Sequence, residues 1–290
     1  MAAPQPVFAN SEYDLQFQQQ GFIVVPLLTE SEITSLRELW STLRYAMPGD
    51  FYATVFNSDP GYRRAVIEGV GSVLSPKVKK LIPGYRTTLE AFIVKRARSQ
   101  RGMIAMHQDY TLVDPDKHTA VNVWCPLLDV DVSTGCLYFV GGSHSFTDHI
   151  SAVPRGVWQG YPMVPNPTPW EPVKDRLYKE CSTPVPLKAG HGVFWHHRAL
   201  HWSPENQTDS ERIIVGCMCL PEEADMRLHY WDWENPGSLE LVDVHGTLDV
   251  PMGEVPGVRP PYPPSWTEAG FVEYDRTPFT NEQIEPLVCR

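Results

Sequence analysis

An imidazole and a carboxylate stand two residues apart in the tripeptide His107-Gln-Asp109. On a β-strand, side chains at positions i and i+2 point to the same face, so this spacing predicts that the two groups converge. A histidine from another strand would complete a two-histidine, one-carboxylate triad, which leaves coordination positions open on a non-haem iron(II) ion. The tripeptide alone is a weak signal, because a hydrogen-bonded pair at the surface would contain the same residues.

A second set of candidate residues consists of His201, Ser203 and Arg212. The pattern predicts that His201 follows one strand and that Arg212 begins the next. A guanidinium can bind a carboxylate through two parallel hydrogen bonds, so Arg212 is suited to the distal carboxylate of 2-oxoglutarate. His196 and His197 are alternative ligands, but the spacing to Ser203 and Arg212 favours His201.

The elements that must position these groups are mostly strands. Short apolar runs separated by turn signals, without alternating helices, predict an antiparallel sandwich or barrel over about 85–220. The predicted strands are 22–26, 88–94, 103–106, 120–127, 136–140, 192–195 and 212–220. Residues 154–190 are interpreted as a long insertion in this β core, and 221–290 as a C-terminal extension.

Helices are predicted before the β core, over about 10–84. Ser11–Gln20 has helical character and ends at Gly21, and a second helix opens at the capping box Thr29-Glu-Ser-Glu32. One or two further helices are predicted within 60–82. We expect the whole chain, 1–290, to form one domain.

Composition narrows the classes of partner. The chain has 24 Lys and Arg against 35 Asp and Glu, a formal net charge of −11, so it lacks the basic surface typical of nucleic-acid binding. No apolar run is long enough to span a membrane, and the polar N-terminus does not resemble a signal peptide. These features predict a cytoplasmic protein. A homodimer stays open, since the proline-rich segment 251–264 could dock on a neighbouring copy.

The ordered set of motifs resembles the phytanoyl-CoA dioxygenase family of iron(II)- and 2-oxoglutarate-dependent oxygenases. The resemblance spans 20–220, and the last 70 residues match no pattern of the family. The matching stretches are Gln20-Gly-Phe-Ile-Val-Val-Pro26, His107-Gln-Asp109, Asn122-Val-Trp-Cys-Pro-Leu127, Thr134-Gly-Cys-Leu-Tyr-Phe-Val-Gly-Gly-Ser-His144, and His201-Trp-Ser203 with Asn206 and Arg212.

This resemblance implies a mostly β fold, a double-stranded β-helix with N-terminal flanking helices. It implies that His107, Asp109 and His201 bind Fe(II) and are the catalytic centre. It also implies 2-oxoglutarate as co-substrate and O2 as oxidant. The implied co-substrate pocket contains Arg212, with Ser203 adding a hydrogen bond and Trp124 lining the wall. Because Asp109 is kept, the resemblance argues against the halogenase variants, which replace this carboxylate.

Other polar residues are weaker candidates for the site, because each has a structural explanation as well. Asn122 shares a strand face with Trp124 and could reach the pocket, and Lys95 and Thr87 could contact 2-oxoglutarate or lie at the surface. His144, His196 and Asn206 are better explained as loop-fixing groups, and Cys217 and Cys219 as packing. Candidates for the substrate wall, for which simple packing is the alternative, are Tyr110, Trp158, Tyr161, Trp170, Tyr230, Trp231 and Trp233.

The predicted function is oxidation of a small organic substrate, with hydroxylation as the usual outcome and desaturation or rearrangement as variants. A role in natural-product biosynthesis fits the aromatic-rich loops. Two alternatives stay open. One is an acyl-CoA hydroxylase, which the acidic charge disfavours, and the other is a cupin-like metal-dependent hydrolase or isomerase, which would have no need of Arg212.

Overall fold

A computed structural model describes residues 6–43, 49–147, 150–155, 168–246, 248, 250–252 and 254–288. Within them, strands outnumber helices and lie in three sheets. The first sheet has six antiparallel strands. In spatial order they are Phe22–Pro26 (β1), His191–His196 (β9), Val121–Pro126 (β5), Arg212–Pro221 (β11), Tyr85–Lys95 (β3) and Phe51–Ala53 (β2).

The second sheet has four antiparallel strands and contains both histidines of the predicted triad. In spatial order these strands are Ile104–His107 (β4), His201–Ser203 (β10), Leu137–Val140 (β6) and Ser182–Val185 (β8). Buried residues of β5, β9 and β11 pack with Phe139 and Leu137 of β6 in one apolar cluster, so the first and second sheets face each other. The prediction of a mostly β fold built from antiparallel sheets is confirmed.

Three helices cover the outer face of the six-stranded sheet. They are Ser11–Gln20 (α1), Glu30–Leu43 (α2) and Pro60–Leu81 (α3). Phe17, Trp40 and Leu74 are among the helix residues that pack with sheet residues such as Phe92 and Phe194 in one buried cluster. This layer excludes water from one side of the sheet, which leaves the other side to carry polar groups between the sheets.

Local signals set the ends of these helices. Asn10 caps α1 by accepting from the backbone N–H groups of Glu12 and Tyr13, and α1 ends at Gly21, whose φ of 77° favours glycine. At α2, the backbone N–H of Thr29 donates to Glu32 Oε2 at 2.8 Å, and the N–H of Glu32 donates to Thr29 Oγ1 at 3.4 Å. The predicted capping box is therefore confirmed.

The C-terminal part of the chain builds a third sheet that the sequence did not predict. In spatial order its strands are Trp266–Glu273 (β14), Asn235–Val244 (β13), Met226–Asp232 (β12) and Val153–Pro154 (β7), with β12 and β7 parallel. The segment predicted as an insertion also contains a helical turn, Lys174–Arg176 (α4), followed by a π turn, Leu177–Cys181. Asn281–Val288 forms a last helix (α5).

Two strand predictions were wrong in detail. β4 ends at His107, so Asp109 lies beyond the strand and not on it. His201 comes after β9 as predicted but itself begins a further short strand, β10, so Arg212 begins the second strand after β9 and not the next one. Among the described residues, no helix combines the length and the apolar character needed to cross a membrane.

Candidate metal centre

The two histidines of the predicted triad are neighbours across one pair of strands. In the antiparallel pairing of β10 with β4, His201 lies opposite His107, and their ring centroids are 4.3 Å apart. Directly opposite residues of an antiparallel pair bring their side chains close on one face of the sheet. Asp109 reaches the same place from the loop that follows β4.

The potential ligand atoms of these three residues converge. Asp109 Oδ1 lies 3.8 Å from His107 Nε2, and Asp109 Oδ2 lies 3.7 Å from His201 Nε2. All the potential ligand atoms lie within 4.8 Å of one another, with His201 buried and the other two half-buried. The arrangement could hold a metal ion, and two imidazoles with one carboxylate are the donor set of open iron(II) sites.

Each histidine is fixed by its own backbone. Nδ1 of His107 donates to the carbonyl of Ala105 at 2.8 Å, and Nδ1 of His201 donates to the carbonyl of Ala199 at 3.0 Å. Because a carbonyl only accepts, Nδ1 must carry the proton in both rings, and Nε2 keeps its lone pair for a ligand. Burial, and next the neighbouring His107, lower the pKa of His201 to about 4, so this ring is neutral at pH 7.

The carboxylate is held by two side chains from the six-stranded sheet. Asp109 Oδ2 accepts from Asn122 Nδ2 at 2.7 Å and from Trp195 Nε1 at 2.8 Å. The sequence indicated Asn122 as a residue that could reach the pocket, but Trp195 was missed. Its strand was predicted, yet only the pairing of β5 with β9 reveals that it lies opposite Asn122.

Arg212, the first residue of β11, is buried. Its guanidinium carbon lies 5.0 Å from the centre of the Trp124 ring, and Nη1 donates to the carbonyl of Gly135. Nε is buried and has no hydrogen-bond partner among the described residues. Burial lowers the pKa of Arg212, and the residues described around it supply no carboxylate. An orphaned donor on a buried cation is what a carboxylate of 2-oxoglutarate would satisfy, so the residues fit this co-substrate.

Lys95 lies directly across the strand pair from Arg212. Its ammonium is fully buried and contacts Ser203 Oγ at 2.6 Å, the carbonyl of Ser203 at 3.2 Å and the carbonyl of Pro204. Burial, and next the charge of Arg212, lower the pKa of Lys95 to about 6. The described contacts of the Ser203 hydroxyl are therefore with Lys95 and not with Arg212.

Three of the weaker candidates, Thr87, His144 and Asn206, contact residues outside the triad. Thr87 Oγ1 contacts Ser75 of α3 at 2.5 Å, on the helical side of the sheet. His144 Nε2 contacts the carbonyl of Gln18 at 3.0 Å, and Asn206 bridges a loop by donating to the carbonyl of Ser210 at 2.7 Å. All three residues hold local structure in the described contacts.

The aromatic candidates for a substrate wall are spread over the molecule. Trp170, Tyr230 and Trp231 are buried in apolar clusters, and Trp233 is exposed. Tyr110 is half-buried, and burial raises its pKa to about 12. Trp158 and Tyr161 lie outside the described residues. Cys217 and Cys219 are buried on β11 with their sulfur atoms 3.9 Å apart.

Comparison with known proteins decides the family. The family model for phytanoyl-CoA dioxygenase (PhyH) matches residues 17–214, more than half of the chain. The chain belongs to the phytanoyl-CoA dioxygenase family. The matched range contains His107, Asp109, His201 and Arg212, whereas β12, β13 and β14 of the third sheet lie beyond it.

One curated relative of the phytanoyl-CoA dioxygenase family is phytanoyl-CoA dioxygenase domain-containing protein 1 of Danio rerio. It is 29% identical over 168 residues, which cover 56% of this chain and 54% of the relative. The chain therefore matches about half the length of that relative.

Solved structures confirm the predicted fold. The chain is similar to the non-haem, α-ketoglutarate-dependent carbocyclase SnoK from nogalamycin biosynthesis, with a TM-score of 0.53 and 20% identity over 78% of this chain and 90% of that one. It is also similar to HygX of Streptomyces hygroscopicus, crystallised with nickel and 2-oxoglutarate, with a TM-score of 0.50 and 15% identity over 92% and 97%. At these identities the likeness concerns the fold, a double-stranded β-helix.

Proposed function

We propose that this protein is an Fe(II)- and 2-oxoglutarate-dependent dioxygenase. One observation carries the proposal. In a chain of the phytanoyl-CoA dioxygenase family, a converging His-Asp-His group lies in the same β core as a buried arginine that has an unsatisfied donor. His107, Asp109 and His201 would hold iron(II), and Arg212 would bind the distal carboxylate of 2-oxoglutarate.

The chain's own residues would prepare the site in three ways. The backbone carbonyls of Ala105 and Ala199 keep both histidines in the tautomer that offers Nε2. Arg212 orients the co-substrate, and Trp124 beneath its guanidinium forms an apolar wall. Bound iron(II) with 2-oxoglutarate and O2 supplies substrate oxidation coupled to decarboxylation of the keto acid to succinate.

Lys95 on β3 and Ser203 on β10 would support this pocket. The Lys95 ammonium binds the Ser203 hydroxyl and two carbonyls, so its described contacts are already filled by the protein. Without a bound anion, burial and the charge of Arg212 lower the pKa of Lys95 to about 6, so Lys95 is mostly neutral at pH 7. We infer that a bound dicarboxylate would raise this pKa and favour the charged form of Lys95, and that Ser203 passes a hydrogen bond between Lys95 and the co-substrate.

The substrate would be a small organic molecule of natural-product biosynthesis. The net charge of −11 disfavours the several phosphates of an acyl-CoA. Among similar structures, SnoK is a carbocyclase from nogalamycin biosynthesis, and HygX has also been crystallised with hygromycin B bound. Turnover with free acids or alcohols supports this class, whereas turnover with CoA thioesters alone would favour the acyl-CoA alternative.

The direct test of the reaction is succinate formation from 2-oxoglutarate in the presence of iron(II) and O2. We expect slow, substrate-independent succinate formation by the wild type and none by Asp109→Ala. Asp116→Ala, on an exposed loop, is the control carboxylate variant. If the wild type converts a substrate without 2-oxoglutarate, and Arg212→Gln converts it equally well, the cupin-like hydrolase or isomerase is the better assignment.

The remaining proposals concern the whole chain. We propose that 1–290 act as one domain, that the protein is cytoplasmic, and that it does not bind nucleic acid. The homodimer is the assembly state proposed for testing. Size-exclusion chromatography with light scattering distinguishes it from a monomer.

A further inference from the structure

Two side chains on one pair of strands bind the carboxylate of the candidate metal centre. Asn122 on β5 and Trp195 on β9 are directly opposite each other in the antiparallel ladder. Both donate to the same atom, Asp109 Oδ2, at 2.7 and 2.8 Å. Because a carboxylate only accepts, the Asn122 amide must turn its nitrogen toward Asp109.

The two oxygens of Asp109 are therefore not equivalent. An ionised carboxylate offers about two lone-pair sites on each oxygen, and the two N–H donors fill those of Oδ2. Oδ1 accepts no hydrogen bond among the described residues, and it lies 3.8 Å from His107 Nε2. Proximity alone does not choose the ligand atom, since Oδ2 lies 3.7 Å from His201 Nε2. The two hydrogen bonds to Oδ2 leave Oδ1 as the available ligand atom.

We propose that Asn122 and Trp195 are positioning residues that reserve Oδ1 as the single metal-binding oxygen of Asp109. The inference rests on the proposed function and deepens it. A facial triad with a one-oxygen carboxylate leaves open positions for the keto acid and for O2. A carboxylate bound through both oxygens would close one of these positions. The strand pair therefore protects the position at which O2 enters.

The indole of Trp195 is held independently of its hydrogen bond. The ring is 6% exposed, and its centroid lies 5.2 Å from that of His201 and 5.8 Å from that of Phe139. Trp195→Phe keeps an aromatic ring at this position and removes the N–H. Asn122→Leu removes the other donor with little change in side-chain shape. The double variant frees Oδ2 completely.

Trp202→Phe provides a matched control. Trp202 follows the ligand His201 directly, and its indole Nε1 donates to Ser182 Oγ at 3.1 Å. Its ring stacks on Tyr138 with a centroid distance of 4.3 Å. The control therefore removes an indole hydrogen bond next to the site without touching Asp109.

The experiment uses nitric oxide as a probe of the open position on the anaerobic iron(II)–2-oxoglutarate protein, followed by electron paramagnetic resonance. We expect nitric oxide to bind at least about tenfold more weakly to the double variant, as for other changes around metal ligands, and to show an intermediate loss in each single variant. Trp202→Phe should bind it like the wild type. Iron(II) binding and the thermal midpoint, measured in parallel, show that each variant is folded and loaded.

The outcomes separate the two claims. If the wild type forms the iron(II)–2-oxoglutarate complex and all variants bind nitric oxide equally well, the inference is overturned and the proposed function stands. If the wild type forms no such complex, both are overturned. Should the double variant not fold, Trp195→Phe alone decides, because it keeps the ring packing.

Discussion

At the level of single residues, three arrangements of side chains prepare the site for its proposed chemistry. His107 and His201 each donate Nδ1–H to the carbonyl two residues earlier, which frees Nε2. Asp109 accepts from two strand residues, and Arg212 keeps a buried donor unsatisfied. The first two arrangements would fix the proposed metal ligands before an ion binds, and the third would leave a donor for an anion. Each makes a distinct prediction.

Arg212→Gln should weaken 2-oxoglutarate binding without changing iron(II) binding. A hydrogen bond to a charged group contributes about 1.5–3 kcal/mol, so we expect the Kd for 2-oxoglutarate to rise about 10- to 150-fold. Isothermal titration under anaerobic conditions measures both constants. The control is Arg98→Gln, an exposed arginine paired with Asp209. An unchanged Kd for 2-oxoglutarate would remove Arg212 from the pocket.

Buried histidines should make the apo-protein acid-sensitive. His229 is 2% exposed and donates to the carbonyl of Thr111 at 2.7 Å, and burial lowers its pKa to about 4 from an ordinary 6.5. Between these values the unfolded chain binds the extra proton, so stability falls as the pH falls from 6.5 toward 4.

His229→Asn keeps a donor for Thr111 and removes the titration. As the pH falls from 6.5 to 5, the free energy of unfolding of the wild type should decrease by about 1 kcal/mol per pH unit more than that of this variant. Urea unfolding at each pH measures the difference. His245→Asn, at an exposed position, is the control. Equal pH slopes for His229→Asn and the wild type would contradict the account.

At the scale of elements, local signals predicted more than long-range ones. The bounds of α1 and β1 and the capping box of α2 depend on neighbours in sequence, and the structure has them as predicted. Asp109 was expected on a strand but lies past the end of β4, because pairing with β10 ends at His107. The triad still converges, since Asn122 and Trp195 hold the Asp109 carboxylate close to both histidines.

The elements that the sequence did not predict depend on pairing between distant segments. β12, β13 and β14 form a sheet with β7, whose residues Val153 and Pro154 lie where the predicted insertion begins. Trp195 was missed for the same reason. Its contact with Asp109 exists only because β9 pairs with β5, and strand order is not written in any local pattern.

Thr29→Ala should test the capping box at the start of α2. Thr29 accepts from the backbone of Glu32, and its own N–H donates to the Glu32 carboxylate, whose pKa is lowered chiefly by that bond. Loss of an N-cap costs about 1 kcal/mol, which urea unfolding can measure. Thr34→Ala, an exposed threonine on the same helix, should cost less because alanine favours the helix. Equal losses would argue against the capping role.

At the scale of the molecule, the six-stranded sheet packs against helices on one face and against the second sheet on the other. Helices α1, α2 and α3 cover its outer face, and Asn122 and Trp195 of the sheet donate hydrogen bonds to Asp109 of the triad. The sequence predicted this general architecture through its motifs. It did not predict that the last part of the chain forms a sheet of its own.

Ligand binding should stabilise the whole molecule, because the site is assembled only in the folded chain. With iron(II) and 2-oxoglutarate each near 100 times its Kd, the free energy of unfolding should rise by about 2.7 kcal/mol for each bound ligand. Anaerobic urea unfolding measures the increment. His107→Ala should lose it, and Asp116→Ala should keep it. An equal increment in His107→Ala would mean that iron(II) binds elsewhere.

The most direct test of the central claim is an anaerobic titration of iron(II) and 2-oxoglutarate into the apo-protein, followed by visible absorbance. We expect a weak metal-to-ligand charge-transfer band that needs both components. The band should be absent in Asp109→Ala and should need more 2-oxoglutarate in Arg212→Gln. If iron(II) binds to the wild type and 2-oxoglutarate produces no band, the assignment of co-substrate and the role of Arg212 are both contradicted.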